Sequence, residues 1–183
     1  MKDEYAIVLD FLPKGHGFGK PEPIAQVIGT TFFSLLEVVP RQNITLKPGD
    51  KVYIGSGKRE EIRSIKRRID YEKLTAFAKS EIENAVQRIV DENEQRFVDF
   101  FNKAQPINVR LHQLELLPGV GKKHMQEIIE ERKKKVFKNF EDIKNRVKLI
   151  PDPKKLIIKR ILMEIKGKED RYNLFVRGTK SFR

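Results

Sequence analysis

Eight positions between Ile107 and Ile129 recur 33 residues later, and this internal repeat constrains the fold more than any other feature of the 183-residue chain. Ile107, Leu114, Leu117, Pro118, Val120, Met125, Ile128 and Ile129 become Phe140, Val147, Ile150, Pro151, Pro153, Ile158, Ile161 and Leu162. An apolar frame kept at that spacing predicts two copies of one helical hairpin, packed into a four-helix unit. In the first copy Asn108 is expected to cap a short helix ending near Glu115, and Lys122 to Lys135 reads as a second helix with Ile128 and Ile129 inward.

The turn between them, Pro118-Gly119-Val120-Gly121, carries the chemistry. Glycines at 119 and 121 can take φ > 0 and let the backbone approach a phosphate, while Val120 anchors the turn in the core. Amides at 119–123 would then lie at a helix N-terminus, whose unpaired N–H groups and positive dipole end favour an anion. Lys122 and Lys123 add charge at the same place. The second copy has Asp152 and Lys154 where the first has Gly119 and Gly121. Asp152-Pro153 is a strong N-cap and N1 pair, so turn and helix persist, but a carboxylate there repels phosphate. The second hairpin is therefore expected to be structural, with Lys154, Lys155 and Lys159 adding long-range attraction.

Charge points to the same segment. The formal net charge is +12 and the pI about 9.8. Residues 105–166 hold 16 Lys and Arg against 8 Asp and Glu. A basic excess concentrated in this way calls for an anionic partner, most commonly a nucleic-acid backbone, with an anionic membrane surface as the rival. No apolar stretch is long enough to span a bilayer and the N-terminus lacks a signal-peptide pattern, so a cytoplasmic location is expected. Absence of cysteine excludes disulfides, thiolate metal sites and thiol nucleophiles. His16, His112 and His124 are the only histidines. His112-x-x-Glu115 and His124-x-x-Glu127 read as surface ion pairs, and no clustered acids accompany the hairpin. No catalytic residue, metal, cofactor or small-molecule substrate is expected.

The remainder reads as an α+β chain. Tyr5 to Leu12 suggests a buried strand, and Pro13 to Pro23 a glycine- and proline-rich loop. Ile24 to Val39 is long enough to form one strand bent across a small barrel. Lys51 to Gly55 and Glu61 to Ile69 complete four or five strands, an OB-like barrel in first place with an SH3-like one left open. Gly15-x-Gly17-x-Gly19 has neither phosphate-loop nor dinucleotide spacing and reads first as a plain barrel loop. Lys51, Arg63 and Phe18 are the barrel's candidate nucleic-acid contacts. Phe32, Phe33 and Tyr53 are expected mostly in the core. From Tyr71 to Ala104 the period becomes helical, with a capping box Ser80-x-x-Glu83 starting a fresh helix. Gly167 ends the last helix, and Tyr172 to Arg177 reads as a strand returning to the barrel edge. The expected domains are 1–71 (barrel), 72–104 (helical connector), 105–166 (tandem hairpins) and 167–183 (terminal strand).

The first hairpin resembles the helix-hairpin-helix family. Leu114 and Leu117 lie five and two positions before Gly119 as in that pattern, and Met125 stands where alanine is usual. The resemblance implies non-specific binding of DNA, or sometimes RNA, through hairpin amides, and leaves open a monovalent cation on hairpin carbonyls. With the barrel, the connector, LPGVGKKHM, the degenerate IPDPKK and the terminal YNLFVR, nearly the whole chain resembles the archaeal "domain of unknown function 655" family. This resemblance implies an archaeal cytosolic protein tied to transcription or translation, which favours RNA over DNA and a contact with the ribosome or transcription machinery. Expected, then, is a non-enzymatic nucleic-acid-binding protein. The alternatives are a DNA-binding protein of repair or recombination, and a protein-interaction module.

Overall fold

The structure, a computed structural model, describes residues 1–167 and 172–177. It is mixed α+β and divides into two compact units, Met1–Ala85 with Glu164–Arg183, and Val86–Met163.

The first unit is built on a five-stranded antiparallel sheet. Its strands are β1 (Tyr5–Leu12), β2 (Ile24–Gly29), β3 (Leu35–Pro40), β4 (Lys51–Tyr53) and β5 (Ile62–Arg68), in the order β4-β1-β2-β3-β5. Alternation along the strands sends Ala6, Val8, Ala25, Val27 and Val38 to one cluster. Val52 of one edge strand and Ile62 of the other join that same cluster, so the sheet curls on itself. Between the two edges no strand pairing occurs among the described residues, so the small OB-like barrel of the sequence reading is a half-barrel. Bulges near Val8/Asp10, Glu37/Val38 and Val39/Pro40 supply local bending. The other face, with Ile7, Leu9 and Ile28, is equally buried.

The single long strand predicted over Ile24 to Val39 is instead two strands joined by a turn. Asp3, itself buried, explains the break: its carboxylate accepts the N–H groups of Thr31 and Phe32 at 2.8 Å and of Ser34 at 3.4 Å. Phe33 takes a left-handed φ of 55° there and buries its ring. The first helix is continuous. α1 (Ala76–Glu92) starts where Thr75 Oγ1 accepts the Ala78 N–H at 3.0 Å. Ser80, expected to open a fresh helix, lies inside α1 and donates to the Phe77 carbonyl. Gln26 and Asp10 fix the helix start to the sheet, Gln26 through the Thr75 N–H at 2.9 Å and Asp10 through the Thr75 hydroxyl at 2.6 Å.

In the second unit α2 (Glu94–Lys103) buries Phe97, Val98 and Phe101. A two-stranded hairpin, β6 (Pro106–Asn108) and β7 (Leu111–His112), precedes a 3-10 turn at Gln113–Leu116 and α3 (Lys122–Lys134). The helix expected from Asn108 to Glu115 is thus replaced. Asn108 uses its side chain on the Arg110 N–H at 2.8 Å, a local bond that competes with helix capping. α4 (Phe140–Arg146) and α5 (Pro153–Lys166) form the second copy. Gly167, with φ 67°, ends α5 as expected.

Of the predicted terminal segment 167–183, residues 168–171 and 178–183 lie outside the described residues. Tyr172 to Arg177 is not a strand. It packs through Phe175 and Val176, whose N–H groups donate to Glu164, and it returns to the sheet through Arg177, whose N–H donates to the Phe32 carbonyl, whose carbonyl accepts from the Arg68 guanidinium and whose own guanidinium donates to the Met1 carbonyl.

Replacing Asp3 by Ala strands three backbone N–H groups in the β2–β3 turn. The expected loss is about 3 kcal/mol, read as a lowered midpoint in chemical denaturation.

Candidate nucleic-acid interface

Leu114, Leu117 and Val120 are buried, and these three anchors fix the turn that the repeat predicts. Pro118 is half-buried between them. Gly119 has φ 94°, a conformation that demands glycine, whereas Gly121 has φ −95° and extended backbone. The expectation of two left-handed glycines therefore holds at 119 alone. A Cβ at Gly119 would meet Pro151 and Leu156 of the second copy at 3.6 Å, while nothing lies within 4 Å of one at Gly121. Position 121 faces open space, and it is the N-cap of α3.

That N-terminus has neither a side-chain cap nor an acidic residue in its first turn. The first bond of the ladder runs from Met125 N–H to Gly121 O at 3.0 Å, so the N–H groups of Lys122, Lys123 and His124 precede it. The Val120 N–H is already bound to the Leu117 carbonyl at 3.0 Å and leaves the candidate set. Lys123 is exposed. Lys122 is held in place: its ammonium donates to Glu115 Oε1 and to the Arg110 carbonyl, both at 3.2 Å.

Glu115 and His112 were expected as a surface ion pair and instead build the support under the turn. His112 is buried, and its Nδ1 accepts the Leu114 N–H at 3.1 Å, while Glu115 Oε2 accepts the His112 N–H at 2.8 Å. The acceptor role at Nδ1 requires a neutral ring. Burial, and then the nearby Arg132 guanidinium, lower the His112 pKa against a smaller opposing pull from Glu115. Burial alone would raise the Glu115 pKa, but the His112 amide and the Lys122 ammonium hold it below its usual value. Arg160, buried in α5, donates to the Leu116 carbonyl at 3.0 Å and ties the second copy to the base of the first turn.

The second turn differs in construction. Asp152 Oδ1 accepts the N–H of Lys154 at 3.0 Å and, more weakly, that of Lys155 at 3.4 Å, so this helix end carries its own carboxylate. Lys154 pairs with Asp91 rather than facing outward alone. The left-handed residue is Leu149, φ 59°, three positions earlier in the repeat than the equivalent of Gly119. In a cleft of about 270 Å³ near Asp91, Glu94, Phe140 and Asp152 these three acids are engaged, Asp91 by Lys154, Asp152 by the helix amides and Glu94 by the Phe140 N–H at 3.1 Å.

The other candidates belong to the first unit. Lys51 lies on β4, 5.4 Å above the Tyr5 ring, and Arg63 on β5, at the opposite edge of the sheet order, paired with Glu22 at 2.7 Å. Tyr53 packs edge-on against Tyr5 and accepts the Gly57 N–H, Phe33 is core, and Phe32 lies under the Arg177 guanidinium at 4.3 Å. Phe18 is 91% exposed. Sequence reading missed a buried polar group here: Glu37, in the otherwise apolar β3 sequence LLEVVP, receives His16 at 2.5 Å, Gln26 at 3.1 Å and Arg67 at 2.6 Å. A lone acid inside an apolar strand was the available signal.

Because the folded His112 pKa is lowered, its stabilising contribution is complete above the ordinary value of 6.5 and is lost as pH falls through the folded value. Thermal melts should show a fall in Tm below about pH 6.5. His112→Asn, which keeps a cap acceptor without titrating, should shallow that slope.

Among the described residues no helix is long and apolar enough to cross a membrane. A family model described as "Protein of unknown function (DUF655)" matches residues 2–177. The uncharacterised protein MJ0038 of Methanocaldococcus jannaschii is 46% identical over 179 residues, covering 97% of this chain and 82% of that protein. The crystal structure of Af1531 from Archaeoglobus fulgidus, of the same family, superposes with a TM-score of 0.85 at 50% identity, covering 96% of this chain and all of that one. The chain belongs to the DUF655 family.

Proposed function

We propose that this protein is a non-enzymatic nucleic-acid-binding protein whose first hairpin grips a backbone phosphate. The observation that carries the reading is the uncapped N-terminus of α3. There the Lys122, Lys123 and His124 amides, the exposed Gly121 and two lysines converge without a carboxylate cap. The reading treats the two copies as a degenerate pair of helix-hairpin-helix elements and the half-barrel as an OB-like accessory. It makes the grip single, since Asp152 occupies the corresponding amides of the second copy. RNA stands ahead of DNA as the ligand, in a role linked to transcription or translation. Binding rather than catalysis suits the histidine and acid of the hairpin, since His112 and Glu115 are both committed to holding the backbone.

The structure selects the variant. Gly119→Asp would strain a left-handed position, but Gly121→Asp meets open space in extended backbone. An aspartate at this N-cap would take the free amides itself, as Asp152 does in the second copy. The expected outcome is a chain at least as stable as the parent that binds labelled poly(U) roughly tenfold more weakly. The parent's log affinity should fall linearly with log salt. Unchanged affinity in a folded Gly121→Asp protein removes the hairpin's role. Salt-insensitive binding that ignores competitor RNA would instead favour a protein-interaction module, and cleavage of labelled DNA or RNA with Mg²⁺ or Mn²⁺ would favour an enzyme.

A further inference from the structure

The loop between β1 and β2 has a pinned stem and a bare aromatic tip. At the stem, the Gly15 N–H donates to the Leu12 carbonyl at 3.1 Å, and a Cβ at Gly15 would stand 2.7 Å from the Glu22 carbonyl oxygen on the returning side. His16 is fastened to the buried Glu37, and Glu22 is fastened to Arg63 at 2.7 Å and Lys66 at 3.1 Å. Both sides of the loop are therefore tied to the sheet. Beyond the stem the restraint ends. Gly17 and Gly19 both take left-handed φ, 80° and 73°, with none of the described residues within 4 Å of either Cβ position, and Phe18 between them is 91% exposed.

Packing does not account for this residue. A phenylalanine in water costs free energy that burial would recover, and the two left-handed glycines hold the tip out from the sheet. The surroundings say what it meets. Lys14 and Lys20 flank the tip and are exposed, and Glu22, the loop's acid, is neutralised by two cations. An apolar π-face between exposed cations on an already basic chain fits a planar base carried on an anionic backbone.

We infer that Phe18 is a stacking finger for an unpaired nucleobase, which makes single-stranded nucleic acid the ligand of the first unit. The inference rests on the nucleic-acid reading above and gives it a substrate class. Bases inside a duplex present no free face, so a finger of this kind selects single strands, loops and ends.

The 183-residue chain contains no tryptophan, so Phe18→Trp places a single indole at the tip. Poly(U) and poly(dT) should both quench its emission, and the ratio of their affinities shows whether RNA or DNA is the better source. Inorganic polyphosphate, which has charge but no base, should leave the emission unchanged. Phe18→Ala should weaken single-strand binding about tenfold or more, at unchanged affinity for a blunt duplex and unchanged Tm. If Phe18→Ala binds single strands as the parent does, or the indole responds equally to polyphosphate, the finger is overturned while the hairpin reading stands. If the parent chain binds no nucleic acid at all, both readings fall together.

Discussion

Backbone amides that helices and strands leave unpaired must find acceptors, and among the described residues carboxylates are the most frequent side-chain acceptors for them. Asp3 gathers the β2–β3 turn, Glu94 meets the start of α4, Glu115 holds the entry to the first hairpin, Asp152 closes the start of α5, and Glu164 secures Phe175 and Val176. Several acids of a strongly basic protein thus work on its own main chain. Seen this way, the start of α3 is the departure. It is a helix end among the described residues with neither a cap nor an early acid, and the nearest carboxylate, Glu115, is turned to Lys122 and His112 instead.

Arginines perform the complementary task on carbonyls. Arg132 donates to the Phe101 and Ala104 carbonyls at the end of α2, and Arg146 donates to the Glu131 and Lys135 carbonyls at the end of α3. Arg160 reaches Leu116 from within the core. Cations placed at helix C-termini complement the dipole and satisfy the last carbonyls. The basic excess of residues 105–166 therefore overstates the charge left facing solvent, because part of it is consumed in joining the two copies and closing helix ends. What faces outward at the first turn is Lys123, with Lys122 held in reserve by Glu115.

The strands at 5–12, 51–53 and 62–68, the last helix and the Leu-Pro-Gly-Val-Gly turn were legible because their determinants are local: alternation, glycine placement and apolar spacing. The turn at residues 30–34 was not, since the acceptor that makes it comes from Asp3, far back in the chain. The short strands β6 and β7 were hidden for a related reason. Asn108 has a helix-capping side chain, and which local bond it makes is decided by the pairing of Pro106 with His112. At the candidate site, the position of the turn could be read from the glycines, but not its chemistry. That Val120 has no amide to give, that Gly121 is extended, and that His112 is a neutral cap all follow from packing around the turn.

The two copies are not interchangeable. Gly119 is fixed by a backbone angle and by the nearness of Pro151 and Leu156, whereas Asp152 is fixed by the need for an oxygen that can accept two amides. These are constraints of different breadth. As lineages diverge, a left-handed site with a neighbour at van der Waals distance admits essentially one residue, while an N-cap admits four or so. Position 119 should therefore stay glycine across related chains, while position 152 drifts among Asp, Asn, Ser and Thr, so that one turn varies freely beside a neighbour that cannot.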